Sequence, residues 1–173
     1  ISFYGHCEPV EDGADRQRSR WVGTHDVLAM PYDVPIPGFR NGTVNTLRLW
    51  KAEATDEFDL EEFNAGSYTD AVAAKNLAEQ ITMVLYPNDA SELGKELRLR
   101  QQYFLASASL QDVMDHWIKR NGHDFSGFAE GNCFQLNDTH PTVAVAELMR
   151  LLLDEQGLDW DTAWQITTRT MCY

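Results

Sequence analysis

The sequence predicts an α/β fold, and three observations carry that expectation. Strand-like runs crowd the first third of the chain, and long helical patterns fill the rest. A short apolar run at 133–136 passes through a polar loop into a very apolar helix, the strand-to-helix handover of an α/β layer. Residues 1–52 therefore read as mainly β. Residues 53–173 read as mainly α, with one strand near 133–137, and 1–173 reads as a single segment.

In chain order, residues 1–6 form a short apolar, aromatic-rich run. Residues 21–30 set Val22, Val27, Leu28 and Met30 among β-tolerant neighbours. Pro31, Pro35 and Pro37 follow. Proline lacks the ladder N–H, so this stretch is a stiff loop or a sheet edge. Asn41 and Gly42 form a type I′ turn signal, with the returning strand at 43–50. From 68 to 85 a narrow stripe recurs at Ala71, Ala74, Leu77 or Ala78, Ile81 and Val84, small enough for close helix packing.

Pro87 breaks that helix. A second long helix is expected from near Leu93 to about Arg120, with Leu110, Val113, Met114, Trp117 and Ile118 on its apolar face. Asn121 and Gly122 end it in the left-handed manner. After the 133–136 strand and the 137–141 loop, the apolar helix carries Glu147, Arg150 and Asp154 on one charged stripe and is buried on most other sides. Gly157 stops it, and Asp159 caps a last helix bearing Trp160 and Trp164. The chain starts in a strand-like run and stops at Tyr173 inside a helical pattern, so both ends read as cut from something longer.

The charge balance is strongly acidic, 27 Asp plus Glu against 14 Lys plus Arg. Such a surface repels phosphate backbones and anionic bilayers, which argues against nucleic acid and membrane partners. Cys7, Cys133 and Cys172 are scattered and odd in number, so neither a disulfide framework nor a zinc site is expected, and free thiols fit a reducing cytosol. No signal peptide and no run of 18 or more apolar residues occurs.

Three places could hold chemistry. Asp138 and His140, in the loop 137–141, sit past the carboxyl end of a strand, where open α/β sheets bind ligands. There they could bind hydroxyls or move protons; equally, Asp138, Thr139 or His140 could merely cap the next helix, with Pro141 in its first turn. No third ligand lies nearby in sequence, which disfavours a metal. Tyr86, Asn88 and Asp89 combine a ring for stacking with planar hydrogen-bonding groups, as a sugar site needs, although the same residues also make an ordinary turn. Arg16, Arg18 and Arg20 form a basic cluster that is either an anion site or a solvated loop. No phosphate-binding glycine loop, nucleophile elbow or zinc-helix motif occurs.

Six strings together resemble the α-glucan phosphorylases, the glycogen and maltodextrin phosphorylase family: VLAMPYD at 27–33, VNTLRLW at 44–50, NLAE at 76–79, VLYPND at 84–89, GKELRL at 94–99 and QLNDTHP at 135–141. They occur in family order across nearly the whole chain. The resemblance implies a fragment from the later part of the family's N-terminal domain, one Rossmann-like lobe of a two-lobe glycosyltransferase fold. It implies phosphorolysis of α-1,4-glucan by inorganic phosphate to glucose 1-phosphate, in a cytoplasmic homodimer using pyridoxal phosphate. The lysine carrying that cofactor belongs to the other lobe, so no cofactor, metal or catalytic residue is expected in this fragment, which alone should be inactive.

Position by position, Asp138 and His140 resemble residues lining the glucan subsites beside the scissile bond. Tyr86 resembles an aromatic that stacks on a sugar, and Asn88 and Asp89 resemble the loop that gates the cleft. The helix at 68–85 resembles the one that packs across the dimer. Two departures stand out. Ala90 replaces an asparagine that contacts glucose in animal members. Asp115 and His116 replace an arginine pair that binds an activating nucleotide phosphate, so activation by AMP is not expected. Two other classes remain open at this level. A sugar-nucleotide-dependent glucan synthase would need a nucleotide-binding glycine-rich loop. A non-catalytic glucan-binding or dimerisation module would show glucan affinity without phosphate or cofactor.

Overall fold

The computed structural model describes residues 1–10, 18–55 and 68–173. Strands β1 (Ser2–Phe3), β2 (His6–Pro9), β3 (Ser19–Val22), β4 (His25–Pro37) and β5 (Val44–Ala54) come first. Helices α1 (Tyr68–Met83), α2 (Glu92–Asn121) and the single turn α3 (Phe128–Gly131) follow. Strand β6 (Phe134–Gln135) leads through a 3₁₀ turn at His140–Thr142 into α4 (Val143–Arg150), which continues as a π-helical turn at Leu151–Glu155. Helix α5 (Trp160–Thr170) and strand β7 (Met171–Cys172) close the order. The fold is mixed α/β with small sheets. The described chain forms two compact units, one joining Ile1–Phe3 to Asp26–Gln101, the other joining Tyr4–His25 to Gln102–Tyr173.

The first unit is built on a sheet of order β1-β4-β5. β4 and β5 pair antiparallel from Val27 opposite Ala54 to Pro37 opposite Val44. The proline-rich stretch is thus a sheet edge rather than a loop. Pro31, Pro35 and Pro37 share one parity, so their missing donors all face away from β5. The expected Asn41-Gly42 type I′ turn is not formed. Arg40 and Gly42 carry the positive φ angles (51° and 72°), and the Gly38 N–H bonds to the Thr43 carbonyl across a longer loop. Asn41 instead accepts the Thr43 N–H on its own side chain, the competing Asx arrangement.

Helix α1 packs on β5, burying Ala52, Ala78 and Ile81, and Thr82 Oγ1 accepts the Ala52 N–H at 3.0 Å. Ala78 and Ile81 of the expected stripe therefore serve this unit's own core. Leu77 and Val84 remain exposed. The side chains of Ala71 and Ala74 lie outside the described residues, as does Arg16 of the basic cluster.

The second unit holds the larger core. Leu110 and Met114 of α2 meet Phe125, Phe128, Leu148, Met149, Leu151, Leu152, Ala163 and Ile166, with Val113, Trp117 and Ile118 packed alongside. This is the apolar face read from the sequence. Gly122 (φ 65°) and Gly157 (φ 70°) end their helices as expected. Asp159 caps α5, its Oδ1 accepting the Thr162 N–H at 2.9 Å. The C-terminal end differs from expectation. After Thr170 the chain leaves the helix, and Met171–Cys172 pairs parallel with β6.

The charged stripe on α4 needs a second correction. Glu147 is only 3 % exposed. Ser107 donates to its Oε1 at 2.6 Å, and Arg150 grips both carboxylate oxygens at 2.8 and 2.9 Å. Tyr103 lies at 3.4 Å from the same Oε1, and burial, with Glu147 adding to it, pushes the phenol up to about 12. Arg150 also bonds Glu155 and lies over the Trp21 ring. A buried carboxylate held this way has its lone pairs satisfied, which is what makes its burial tolerable.

Candidate functional site

Two loops carry the five residues singled out by sequence. In the first unit, α1 ends at Met83 and Tyr86 takes φ 54°, a left-handed angle unusual for an aromatic residue. The start of α2 holds this loop in place. The Ser91 hydroxyl accepts the Gly94 N–H (3.2 Å) and its carbonyl accepts the Lys95 N–H, which begins the helix. Arg98 donates to Asp89, and its guanidinium sits 6.0 Å from the Tyr86 ring centroid. Gln101 donates to the Val84 carbonyl at 2.7 Å. Asn88 Oδ1 accepts the Ala90 N–H at 2.8 Å.

Gly94 has a separate role here. A Cβ at that position would lie 1.9 Å from the Asn88 carbonyl oxygen, so only glycine lets the loop lie this close to the helix. Tyr86, Asn88 and Asp89 are therefore brought together on one braced loop. Tyr86 is 63 % exposed. The local bonds are those of a turn as well, so the two readings of this loop coexist. The sequence reading missed Arg98 and Gly94. The signal was present in the GKELRL string, which places a glycine and an arginine one helical turn apart.

In the second unit, β6 delivers the loop 137–141. Asp138 takes φ 66°, and its Oδ1 accepts the N–H of Thr139. That bond and the Thr139 hydroxyl, with a smaller contribution from His140, hold the Asp138 carboxyl below its usual range. Asp138 is exposed and His140 half-buried. The 3₁₀ turn that begins at His140 has Thr139 as its N-cap, with no side-chain cap bond. The Thr142 hydroxyl instead donates to the Thr139 carbonyl at 2.7 Å. The capping role that competed for Asp138 and Thr139 thus finds no bond of the kind it requires. What remains is an ionised acceptor and an imidazole, two residues apart, at the carboxyl end of a strand.

Among the four non-glycine residues with positive φ in the described chain, two are Tyr86 and Asp138. Strain of this kind persists where the surroundings over-determine it, and it gathers at binding sites.

The other candidates resolve differently. Arg18 donates to the Asp154 carbonyl at 2.9 Å, and the Ser19 N–H bonds the Asp154 side chain at 3.1 Å. Arg18 therefore bolts the chain to the π-helical turn. Asp115 is ion-paired with Lys119, and His116 Nδ1 lies 2.7 Å from the Asp112 carbonyl oxygen one turn back along α2. Among the described residues no three His, Cys, Asp or Glu are placed to hold a metal ion, and no helix is long and apolar enough to cross a membrane.

The residues do not fit a pyridoxal phosphate site. Each of the four lysines, Lys51, Lys75, Lys95 and Lys119, is more than half exposed and within 4.0 Å of a carboxylate. A Schiff-base lysine needs a desolvated amine.

Comparison with known proteins identifies the family. The family model described as carbohydrate phosphorylase matches residues 1–173. The chain is 48 % identical to the muscle form of glycogen phosphorylase of Homo sapiens, over 183 residues that cover all of this chain and 21 % of that protein. It is 49 % identical to the muscle form of Mus musculus and 48 % identical to the brain form of Homo sapiens, again over the whole chain and 21 % of each. It thus spans about a fifth of the length of these relatives. The match along the entire chain places this chain in the carbohydrate phosphorylase family.

Proposed function

We propose that this chain serves an α-glucan phosphorylase, which cleaves α-1,4-glucan with inorganic phosphate and releases glucose 1-phosphate. The observation that carries the reading is the family match over all 173 residues. The relatives are glycogen phosphorylases, and their name supplies the polymer class. In this reading the chain's part is to bind and orient sugar. The Asp138 carboxylate accepts hydroxyl protons, and His140 donates or accepts at its ring nitrogens. Tyr86 offers its ring face, while Asn88 and Asp89 shape the opening. None of these residues needs to move the proton at the scissile oxygen, and no step is routed through a cofactor on this chain. Pyridoxal phosphate, if used, would be held elsewhere in the polypeptide. The lobe architecture, one Rossmann-like half of a two-lobe enzyme, and a cytoplasmic setting belong to the same proposal.

The test is direct. The complete polypeptide, incubated with maltodextrin and inorganic phosphate, should release glucose 1-phosphate, and the 173-residue chain alone should release none. Failure of the complete polypeptide to do so, with an intact fold, overturns the reading.

The proposed homodimer would use α1. Ala78 is buried in the unit's own core, so a charge there would test folding instead of association. Leu77 is exposed on the same helix. We expect Leu77→Glu to shift the complete polypeptide from dimer to monomer on size-exclusion chromatography. An unchanged dimer would place the interface elsewhere.

A further inference from the structure

We propose that Cys133 and Cys172 form a dithiol that closes to an intramolecular disulfide under a low-molecular-weight disulfide such as oxidised glutathione, tying β6 to β7 at the foot of the 137–141 loop. This inference does not depend on the reading above.

The sulfurs lie 3.3 Å apart across 39 residues of chain. A disulfide bond is about 2.0 Å long, so small side-chain rotations bring them together. The backbone holds the pair in this position. Cys133 immediately precedes β6, and Cys172 lies in β7, opposite Gln135 in the parallel register. The Leu136 N–H donates to the Cys172 carbonyl at 2.8 Å, and the Gln135 side chain reaches the same oxygen at 3.3 Å. The two backbones cannot drift apart without breaking that ladder.

Access is open as well, since Cys133 is exposed and Cys172 half-buried. No third soft ligand joins them among the described residues, so the arrangement suits thiol chemistry better than a metal. The hydrogen bond to Cys172 is the first cause that pushes the Cys133 thiol up. Either sulfur can donate in their 3.3 Å contact, and the thiol that ionises becomes the attacking thiolate.

The exchange balances without further reagents. With Cys172 ionised, its thiolate attacks one sulfur of oxidised glutathione, whose S–S bond breaks to release one glutathione thiolate; the roles of the two cysteines can be exchanged. Cys133 then loses its proton to water and attacks the Cys172 sulfur of the mixed disulfide, releasing the second glutathione thiolate. Two protein thiols become one disulfide, and oxidised glutathione takes up the two electrons. The two glutathione thiolates can take up the two protons. Reversible disulfides of this type are the kind a reducing compartment tolerates, because they form transiently. The link falls where it matters mechanically. β6 and β7 are two residues each, and Asp138 stands three residues beyond β6.

The test uses the complete polypeptide, treated with oxidised glutathione, alkylated and mapped by peptide mass spectrometry. We expect Cys133 and Cys172 to lose their free thiols together and to appear as one cross-linked peptide. The melting temperature should rise, and dithiothreitol should reverse both changes. Exposed Cys7 on β2 is the internal control and should carry only a glutathione adduct. Cys133→Ala should convert the cross-link into a stable glutathione adduct on Cys172. Persistent glutathione adducts on Cys133 or Cys172 of the wild-type protein, with no cross-link, would overturn the proposal. So would both thiols remaining free while Cys7 reacts.

Discussion

The two units use their apolar residues in opposite ways. In the first, the buried hydrophobic side chains are Phe3, Val27, Ala52, Ala78 and Ile81, while Tyr32, Val34, Ile36, Val44, Leu47 and Leu49 stand exposed along the β4–β5 arm. In the second, Phe104, Leu110, Phe128, Leu148, Leu151 and Leu152 are all 2 % exposed or less. A long two-stranded arm has two faces and covers at most one. A helix laid across other helices closes its whole apolar stripe. Stability should therefore reside in the second unit. The first holds its loop in place by specific polar bonds, Arg98 to Asp89 and Gln101 to Val84, instead of by bulk.

The sharpest way to break this contrast is a pair of truncations. Phe128 is fully buried against Phe125 and Trp117, with ring centroids 5.6 and 5.4 Å away. We expect Phe128→Ala to cost about 3–5 kcal/mol in denaturant unfolding. Leu47→Ala, on the exposed arm, should stay within about 0.5 kcal/mol. Comparable losses from the two changes would show that the arm is covered.

The next effect concerns function, again one residue per unit. Gly94→Ala forces the Asn88 carbonyl away from α2. His140→Ala removes a hydrogen-bonding ring from the other loop. In the complete polypeptide each should lower kcat/KM on maltodextrin by roughly tenfold to a hundredfold, the loss of one positioning hydrogen bond or its equivalent. For His140→Ala the melting temperature should move little, since the cap position of that turn belongs to Thr139. A lowered melting temperature with unchanged kinetics would return that loop to a purely structural role.

The smallest effect is a matched control at a true cap. Asp159 bonds the Thr162 N–H and hydroxyl, and its carboxyl is held below the usual range by those bonds. A depressed folded value means the contribution is present above the unfolded carboxylate range and fades as pH falls through the folded value. Asp159→Ala should thus lower the melting temperature by about 2–4 °C near neutral pH. The gap to the parent protein should close in acid. A gap independent of pH would show that ionisation of Asp159 is irrelevant to the cap.

The helices were the most legible part of the chain. The face from Leu110 to Ile118, the stops at Gly122 and Gly157 and the Asp159 cap all follow from periodicity and local side-chain chemistry, which act within one or two turns. The strands were harder to place. Tyr4 and Gly5, with φ of 62° and 73°, break what reads as one run into β1 and β2, and Gly23 separates β3 from β4 in the same way. Strand limits depend on which partner supplies the hydrogen bonds, and that is not a local property.

The sequence by itself determined the α/β class, the helix stops at Gly122 and Gly157 and the family, because six separated strings leave little room for another family. It also named Tyr86, Asn88, Asp89, Asp138 and His140 as the residues to examine, through their types and their place after a helix or a strand. Only the tertiary structure decided that Glu147 is buried beneath Arg150 and Ser107, that Arg98 and Gly94 brace the 86–89 loop, and that Cys133 meets Cys172. Each of those contacts joins groups 3 to 40 residues apart. A periodic pattern fixes which face of an element is apolar, but not which polar side chain of another element will reach it. That choice is made by packing, when desolvation obliges every buried charge and hydroxyl to find a partner.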